Sequence, residues 1–254
     1  MVPKTIHYCW FGGKPIPKEY QRYIDSWRRY MPDFEIKEWN EGNYDVNCIP
    51  FSKEAYSVGK YAYVSDYARL KILYENGGVY FDTDVEVIKP MDDILCQGGF
   101  MAVEKWKEQN PDALYVNPGL GFACEPHNPV IREIMEFYES HHYIYPDGHI
   151  EQIPIVPVAT EVLKRHGLVK SDNPLTLNPY EPSEGLLKRD NSLTIYPWEY
   201  FCPMEYLCNK IEITENTHTI HHYSATWMSW KDKLTMKKGY YSAIIKRFLK
   251  FTKK

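Results

Sequence analysis

The sequence predicts a single Rossmann-like α/β domain with a mixed central sheet. Strand and helix patterns alternate over the first 90 of the 254 residues, in the order strand, helix, strand, helix, strand, which is typical of nucleotide-binding α/β proteins. The composition, 44% hydrophobic and 25% charged, supplies enough apolar side chains for a sizeable core. The sequence contains no internal repeat, low-complexity segment or long linker. These features exclude a disordered chain, a coiled coil and a collagen-like repeat.

The predicted elements begin with a β-branched and aromatic strand at Thr5–Phe11, which Gly12-Gly13 ends. Apolar side chains at helical spacing predict a helix over Pro17–Tyr30, and strict alternation predicts a half-exposed strand at Phe34–Trp39. Tyr56–Asn76 is the longest predicted helix. The glycine pair that follows it ends it, because glycine tolerates the left-handed conformation of a helix cap.

Two short strands, Val79–Phe81 and Val85–Ile88, are predicted next, with Asp82-Thr83-Asp84 between them. A further helix is predicted near Val130–Tyr138. The stretch Asp172–Pro203 is rich in proline and asparagine, and it is predicted to consist mostly of loops.

The charge of the chain limits its partners. A formal net charge of −4 argues against a general nucleic-acid-binding protein, so we expect no nucleic-acid partner. From Lys231 onward, nine basic residues against one acid give +8, so a total of −4 leaves −12 for the preceding 230 residues. A basic tail on an acidic body suggests an anionic surface as a partner. The six cysteines form no CxxC pair, which favours reduced thiols over a zinc site or a disulfide scaffold.

The start of the sequence leads directly into a strand pattern without an apolar signal segment. No run approaches the about 18 apolar residues that a bilayer-spanning helix needs. We therefore expect a protein that folds in the cytoplasm.

Asp82 and Asp84 are the sharpest chemical feature. Residues two apart in a strand face the same side, so this pattern aims two carboxylates at one point. Two hard oxygen ligands after a glycine turn suit a divalent cation that also holds substrate phosphates. The alternative is an exposed loop with two ordinary acids.

Three other positions carry a functional and a structural interpretation. Asp66 and Arg69 share one face of the long helix, where they either bind a phosphate and a hydroxyl or form an ion pair worth a few tenths of a kcal/mol. Trp10 ends the first strand, where it either stacks on a nucleobase or belongs to the core. His221 and His222 face opposite sides of an extended segment, so at most one of them joins a given metal site.

Taken together, four ordered motifs resemble glycosyltransferase family 32. The motifs are Ile6–Gly13, Ser65–Leu70, Gly77–Asp84, and His221–Tyr223 followed by Trp227. This family includes bacterial capsular and lipopolysaccharide sugar transferases and the yeast initiating α-1,6-mannosyltransferase. The catalytic domains of the large clostridial glucosylating toxins share its core pattern. The resemblance implies a GT-A fold, a nucleotide-sugar donor, a Mn²⁺ or Mg²⁺ ion and retention of the anomeric configuration.

The resemblance also implies roles for residues of the donor pocket. Trp10 matches the aromatic residue that stacks on the base, and Tyr80 matches an aromatic residue that lines the nucleotide pocket. Asp66 and Arg69 match the pair that contacts the donor sugar and phosphate. Asn117 is expected to reach the sugar pocket.

Asp82 and Asp84 match the two acids of the family motif, with Asp84 as the direct metal ligand and Asp82 holding ribose, sugar or a metal-bound water. His222 matches the metal ligand that follows late in the chain, with His221 as the alternative. Trp227 is then expected to contact the diphosphate. The catalytic residues expected on this basis are Asp66, Arg69, Asp82 and Asp84.

These assignments imply a metal-dependent retaining glycosyltransferase. We expect it to move a hexose from a nucleotide sugar, with a UDP-sugar favoured, to a glycan or lipid-linked acceptor in surface polysaccharide synthesis. A front-face attack by the acceptor is favoured, because the sequence offers no convincing second carboxylate for a double displacement. The alternatives are a binding protein without turnover and a metal-dependent nucleotide-sugar hydrolase.

The catalytic domain is predicted to span residues 1–230, and a basic amphipathic tail residues 231–254. Within 239–254, apolar side chains share one helical stripe, and lysines and an arginine lie elsewhere. A helix of this kind can lie in an anionic membrane interface, which would place the protein at the inner face of the plasma membrane. The alternative is a terminal helix that docks on the body with a solvated basic face.

Overall fold

The computed structural model describes residues 1–105, 114–178, 191–205 and 210–224. The strands in these ranges are β1 (Thr5–Cys9), β2 (Glu35–Trp39), β3 (Gly78–Tyr80), β4 (Val85–Val87), β5 (Gly99–Ala102), β6 (Phe122–Cys124), β7 (Leu175–Leu177), β8 (Leu193–Tyr196) and β9 (Thr219–His221). The α-helices are α1 (Lys18–Tyr30), α2 (Pro50–Ser57), α3 (Tyr61–Asn76), α4 (Asp92–Leu95), α5 (Pro129–Glu139), α6 (Ile155–Arg165) and α7 (Trp198–Phe201). A 3₁₀ turn covers Pro118–Leu120.

Seven strands form one mixed sheet in the order β2-β1-β3-β6-β5-β8-β7, which confirms the predicted α/β class. β1 pairs in parallel with β2 and β3, and β6 runs antiparallel to both of its neighbours. β4 leaves this sheet and pairs antiparallel with β9, so that Val85 lies opposite His221. This two-stranded ribbon joins a late segment of the chain to the residues that follow β3.

Hydrophobic clusters cover the sheet and give the domain its layers. One cluster contains Phe51, Leu70, Tyr138 and Leu163, from helices α2, α3, α5 and α6. The other contains Trp27 of α1, together with aromatic side chains of β5 and α7 and of the segment after β3. Helices on the two faces of a largely buried sheet are the arrangement that the alternation of strands and helices predicts.

Helix α1 confirms the prediction for Pro17–Tyr30 and anchors the ribbon. Its apolar residues Tyr20, Tyr23, Ile24 and Trp27 recur at helical spacing and are buried. The indole Nε1 of Trp27 donates a hydrogen bond of 2.8 Å to the carbonyl oxygen of Val85. The helix therefore holds β4, and with it the chain that carries both acids of the motif.

The predicted helix Tyr56–Asn76 is wrong at its beginning. The chain forms two helices there, and Gly59, with φ of +70°, lies in the connection between α2 and α3. An isolated glycine inside a helical pattern is a weak signal by itself, and here it marks the break. The end is as predicted, since the N–H of Gly77 bonds the carbonyl oxygen of Leu73 at a φ of +66°.

The region 155–203 contains more regular structure than the sequence indicates. Helix α6 was not predicted, and the stretch Asp172–Pro203 contains β7, β8 and α7 in addition to loops. Strand β8 is buried along its whole length and pairs in parallel with β5. Its four residues are too few for a period to be recognised, so the prediction of loops was wrong at this point.

Helix α5 confirms the helix predicted near Val130. Asn128 caps it, because its side-chain oxygen accepts hydrogen bonds from the backbone N–H groups of Val130 and Ile131. Pro129 occupies the first turn, where its missing N–H costs nothing.

Among the described residues, no helix combines the length and the apolar character that crossing a membrane requires. The tail at 231–254 lies outside the described residues.

Candidate active site

The ribbon brings Asp82, Asp84 and His221 together. Nε2 of His221 lies 3.2 Å from Oδ1 of Asp84 and 4.0 Å from Oδ2 of Asp82. One ligand atom from each of the three residues lies within 4.8 Å of the other two, which is close enough for all three to hold one metal ion. Two carboxylates and an imidazole therefore converge at the end of β3.

Asp84 is held in its ionised form. Burial raises the pKa of Asp84, but the charge and hydrogen bond of His221 and the backbone N–H of Ser224 outweigh it, so the pKa falls to about 2. The N–H of Ser224 donates to Oδ2 at 2.8 Å. In return, Asp84 and Asp82 raise the pKa of His221 against the opposing effect of its burial. Each group stabilises the charge of the other.

Tyr223 turns the chain so that Ser224 can reach Asp84. Its φ is +47°, a conformation that a bulky residue adopts at a cost of about 1–3 kcal/mol. Its ring meets that of His221 edge-on at 4.3 Å, and its hydroxyl lies 2.9 Å from Sγ of Cys202. These contacts fix a strained residue beside the three ligand atoms.

Asp82 belongs to a buried network around Arg69. Nη2 of Arg69 lies 3.2 Å from Oδ1 of Asp82 and 3.2 Å from Oδ1 of Asp66, and its Nε donates to the carbonyl oxygen of Ser65 at 3.0 Å. Only 6% of the Arg69 side chain is exposed. Arg69 is therefore more than the surface ion pair considered from the sequence, because its buried guanidinium joins the carboxylates of Asp66 and Asp82, which are 12% and 27% exposed.

Asp66 also bonds to the start of helix α6. The N–H of Ile155 donates to its Oδ2 at 3.3 Å. Burial raises the pKa of Asp66 to about 6, while Arg69 acts in the opposite direction. Burial likewise raises the pKa of Asp82, and Arg69 again opposes it.

Tyr80 lies beneath Asp82. Its ring is 1% exposed, its hydroxyl donates to Oδ1 of Asp82 at 2.9 Å, and the guanidinium of Arg69 lies 5.0 Å from its ring centroid. Tyr80 was expected to line the nucleotide pocket, and that role stays a prediction. A side chain this deeply buried supports Asp82 from below.

Asn117 lies beside the acids, at the start of the 3₁₀ turn. Its Oδ1 accepts the N–H of Gly119 at 2.6 Å, and its Nδ2 donates to Oε1 of Glu104 at 2.7 Å. A Cβ atom at Gly119 would lie 2.4 Å from Oδ2 of Asp82. Only glycine fits at 119, because the turn packs directly against the Asp82 carboxylate.

His222 points away from the acids, so the structure corrects the expectation that it is the metal ligand. Its Nε2 lies 2.8 Å from Oε2 of Glu86, and its ring stacks on Tyr23 at 4.4 Å. Adjacent residues of an extended segment face opposite sides. The pairing of His221 with Val85 decides which of the two histidines faces Asp84.

Trp10 lies one residue beyond β1, partly buried. Its Nε1 donates to the carbonyl oxygen of Lys14 at 2.6 Å, and its ring lies 5.8 Å from that of Tyr20. Tyr20 in turn hydrogen-bonds with Ser224 and lies in the electrostatic field of Asp84. Trp10 is thus linked to Asp84 through Tyr20 and Ser224. Trp227 lies outside the described residues.

Sequence reasoning missed several members of this site. Glu104 and Tyr20 are the clearest cases, because each is in contact with a residue that was predicted. Glu104 follows the buried strand β5 much as Asp82 follows β3, and that position was the available signal. Glu104 is thus a carboxylate of this site that the sequence patterns did not indicate.

Comparison with known proteins finds a matching sequence model and a matching fold. The sequence model described as "Glycosyltransferase sugar-binding region containing DXD motif" matches residues 17–101, which include Asp66, Arg69, Asp82 and Asp84. The solved structure of PaToxG glycosyltransferase superposes with a TM-score of 0.50 over 65% of this chain and 69% of that chain, at 19% identity. This likeness shows the fold alone, which is GT-A as expected.

Curated relatives carry the same kind of name. A glycosyltransferase of Acanthamoeba polyphaga mimivirus is 31% identical over 142 residues, 54% of this chain and 55% of that protein. Inositol phosphoceramide mannosyltransferase 1 of Schizosaccharomyces pombe is 32% identical over 111 residues, 39% of this chain and 33% of that protein. The initiation-specific alpha-1,6-mannosyltransferase of Candida albicans is 29% identical over 137 residues, 50% of this chain and 34% of that protein.

The chain thus spans about half, or less, of the length of the curated relatives it matches. The residues that the sequence model matches, 17–101, nevertheless contain both acids of the motif and Arg69. The chain matches the DXD-containing glycosyltransferase model over these residues, and it has a GT-A fold.

Proposed function

We propose that this protein is a metal-dependent retaining glycosyltransferase that moves a hexose from a nucleotide sugar to a glycan or lipid-linked acceptor. The observation that carries the proposal is the convergence of Asp82, Asp84 and His221 inside the DXD family region. Surface polysaccharide synthesis is the process we propose for it, on the basis of the family resemblance.

The charge of the site supports metal dependence. Among the described residues, those that form this site include four carboxylates, those of Asp66, Asp82, Asp84 and Glu104, and two basic groups, Arg69 and His221. A donor diphosphate adds further negative charge, and an excess of carboxylates repels it. A divalent cation bound at the three converging ligands reverses this repulsion and, as a Lewis acid, stabilises the charge that develops on the departing diphosphate.

The donor set fits Mn²⁺ better than Mg²⁺. Carboxylates suit Mg²⁺, Ca²⁺ and Mn²⁺, whereas imidazole is a ligand of later transition metals and is uncommon for Mg²⁺. A site with two carboxylates and His221 combines both kinds of ligand. We therefore propose Mn²⁺ as the resident ion, with Mg²⁺ as a weaker substitute.

The chain's own residues orient the reacting groups. Arg69 and Tyr80 hold Asp82 in one rotamer through three contacts to its carboxylate. His221 and Ser224 hold Asp84 in the same way. We assign Trp10, one residue beyond β1, to stacking on the base, and Asp66 and Asn117 to contacts with the sugar. Preorganised groups of this kind need no rearrangement during bond breaking.

The sugar nucleotide is proposed to be a UDP-sugar. GDP-mannose is the second candidate, because two relatives are named mannosyltransferases. Nucleotide release from UDP-, GDP-, CMP- and dTDP-sugars, measured with Mn²⁺ and with EDTA, tests the proposal. We expect release from one donor, lost in EDTA and in Asp84→Asn. The matched control is Asp33→Asn, since the Asp33 side chain is 77% exposed and pairs with the exposed Lys4.

Two alternatives give different results in the same assay. A nucleotide-sugar hydrolase releases nucleotide at one rate with and without an acceptor, and a binding protein binds UDP or GDP with Mn²⁺ but releases nothing. Absence of both binding and release contradicts the donor site itself. Once a product is available, its anomeric proton coupling by NMR distinguishes retention from inversion.

Residues 239–254 are proposed to bind an anionic membrane surface, which would bring the enzyme to lipid-linked acceptors at the inner face of the plasma membrane. This proposal comes from the sequence pattern, since these residues lie outside the described ranges. Vesicles with phosphatidylglycerol should sediment the full chain and leave a chain ending at residue 238 in solution. Equal binding of both proteins contradicts it.

A further inference from the structure

A pocket of about 260 Å³ lies between helix α1 and strand β4. Arg22, Asp25, Arg29 and Tyr30 line it from the helix, and Glu86 lines it from the strand. None of the three converging metal ligands is among the described residues that line it. The pocket is therefore a separate place on the molecule, and the proposed transferase function gives it no role.

Helix α1 presents two arginines to this pocket. Arg22 and Arg29 are seven residues apart, which is about two turns, so they lie on one face of the helix and about 10 Å apart along its axis. Between them, Oγ of Ser26 accepts the N–H of Val87 at 2.9 Å and fixes this face of the helix against β4. An arginine thus lies near each end of the stretch of helix that lines the pocket.

These arginines and a tyrosine have donor groups to spare. Within the part of the chain that the structure describes, no carboxylate oxygen lies within 4.0 Å of the guanidinium of Arg22 or Arg29, and the Tyr30 hydroxyl forms no hydrogen bond. Both arginines are exposed, and the guanidinium carbon of Arg29 lies 5.4 Å from the ring centroid of Tyr30. All three donors are therefore available to a ligand.

The two acids of the pocket already have partners. Oδ1 of Asp25 accepts a hydrogen bond from Nη1 of Arg28 at 2.6 Å, and Oε2 of Glu86 lies 2.8 Å from Nε2 of His222. When the lining residues are counted together with Arg28, three arginines accompany two carboxylates. The local balance of charge is positive and attracts an anion.

Phosphate is the anion that matches these donors. The forked N–H groups of a guanidinium fit the oxygens of phosphate, and a phosphate monoester carries a charge of about −1.5 to −2 at pH 7. Two arginines compensate this charge, whereas a carboxylate needs one. The volume lies below the range of about 300–1,000 Å³ that is typical of pockets for drug-sized ligands, which favours a small group over a whole nucleotide sugar.

We propose that Arg22, Arg29 and Tyr30 bind a phosphate group in this pocket, carried either by a soluble compound or by a lipid headgroup. The site goes beyond the proposed transferase function and does not depend on it, because no metal ligand takes part. Glu86 lies two residues beyond Asp84, so an occupant adjoins the strand that leads away from the acids.

Titration of the full chain with inorganic phosphate, followed by phosphorus NMR, tests the soluble form. EDTA is present throughout, so that no metal ion binds the phosphate. Arg22→Gln and Arg29→Gln should each weaken binding roughly 10-fold or more, because each removes a charged hydrogen-bond donor. Arg22→Lys keeps the charge but loses the fork, so it should give an intermediate affinity.

The matched control is Arg165→Gln at the end of α6. This arginine is 62% exposed, and its helix packs in the other hydrophobic cluster, away from α1. The control removes the same charge and should leave phosphate binding as in the wild type. Since Arg22 and Arg29 are exposed as well, all three variants should unfold at the urea concentration of the wild type.

Vesicles of phosphatidylcholine with and without phosphatidic acid test the lipid form, because phosphatidic acid presents a phosphate monoester. If the pocket takes a headgroup, Arg22→Gln and Arg29→Gln should reduce the sedimentation that depends on phosphatidic acid roughly 5-fold or more. Arg165→Gln, which retains residues 239–254 like the other variants, again serves as the control.

The two assays together decide the proposal. Weaker binding of the arginine variants in the phosphate titration alone supports a soluble phosphate compound, and weaker binding to the vesicles supports a lipid headgroup. Wild-type behaviour of both variants in both assays refutes the site, as does absence of binding by the wild type. Equal weakening by Arg165→Gln also refutes it, because the anion would then respond to the net charge of the protein.

Discussion

The guanidinium of Arg69 lies 3.2 Å from a carboxylate oxygen of Asp82, and both side chains are largely withdrawn from water. The pair joins helix α3 to the strand end that carries the acids, so one contact serves both folding and the geometry of the site. Removing one partner of a buried ion pair leaves the other charge without compensation, which costs more than the pair itself contributes.

Arg69→Ala should lower the free energy of unfolding by about 3–5 kcal/mol, because Asp66 and Asp82 both lose their common partner. Urea unfolding followed by circular dichroism measures this. Arg132→Ala is the control: Arg132 pairs with Glu139 on the surface of α5 and should cost about 1 kcal/mol or less. Similar losses in the two variants would contradict the central position of Arg69.

His221→Ala should weaken Mn²⁺ binding at least 10-fold, whereas His222→Ala should change it less than about 3-fold, since one good ligand contributes on the order of 1.4 kcal/mol or more. His222 is a closely matched control, because it is the same residue type at the next position and its side chain faces Glu86 instead of Asp84. Titration of Mn²⁺ by electron paramagnetic resonance reports free ion directly. A larger effect from His222 would reverse the assignment.

Gly119→Ala should reduce nucleotide release roughly 100-fold or more. The new methyl would lie 2.4 Å from Oδ2 of Asp82, so either the carboxylate or the turn must move, and displacement of about 1 Å at a catalytic group has an effect of this size. Gly42→Ala, in an exposed turn where the nearest atom is the Asn40 side chain, should behave as wild type. Normal activity of Gly119→Ala would show that the turn can move without displacing the Asp82 carboxylate.

His7 should make the stability of the protein depend on pH. Trp39 donates to its Nδ1 at 3.0 Å, so the ring proton lies on Nε2, which donates to the carbonyl oxygen of Gly77 at 3.1 Å. Burial lowers the pKa of His7 to about 4 from the usual 6.5. The unfolded chain therefore binds a proton between pH 6.5 and 4 that the folded protein excludes. The contribution of His7 to the free energy of unfolding is fully present above pH 6.5. It falls by roughly 3 kcal/mol as the pH decreases to 4.

Urea unfolding at pH 7, 6 and 5 measures this slope. His7→Gln removes the titrating ring and should flatten the part of the slope that His7 contributes. His149→Gln, at an exposed position, should leave the slope as it is in the wild type. Identical slopes in all three proteins would mean that His7 is protonated in the folded state.

The fold could be predicted from the sequence where patterns are long. Helix α1 and the strand that follows it lie where periodicity places them, and Asp82 and Asp84 lie after a buried strand as expected. Strands of three or four residues, such as β6 and β8, carry too little periodicity, and their pairing with partners distant in sequence gives them their structure.

The site was predictable in composition but not in geometry. Which histidine faces Asp84 depends on the register of the β4–β9 ribbon, and one residue of slip exchanges His221 for His222. The spacing of Asp66 and Arg69 indicates a shared helix face, but their burial results from the packing of α3 between the sheet and α5. Glu104 contacts Asn117, which is 13 positions away in sequence, and no local pattern contains such a contact.

The β4–β9 ribbon has a consequence for how the protein becomes active during its synthesis. The acids of the motif leave the ribosome long before His221, and a contact such as Ser224 to Asp84 spans 140 positions of chain. Closing so long a loop is slow compared with forming neighbouring strands. Strands of the sheet can therefore pair before the last of the three metal-ligand residues, His221, has been synthesised. We expect the ability to bind a metal ion to appear last during folding. A chain truncated before β9 should be inactive even if its hydrophobic core is intact.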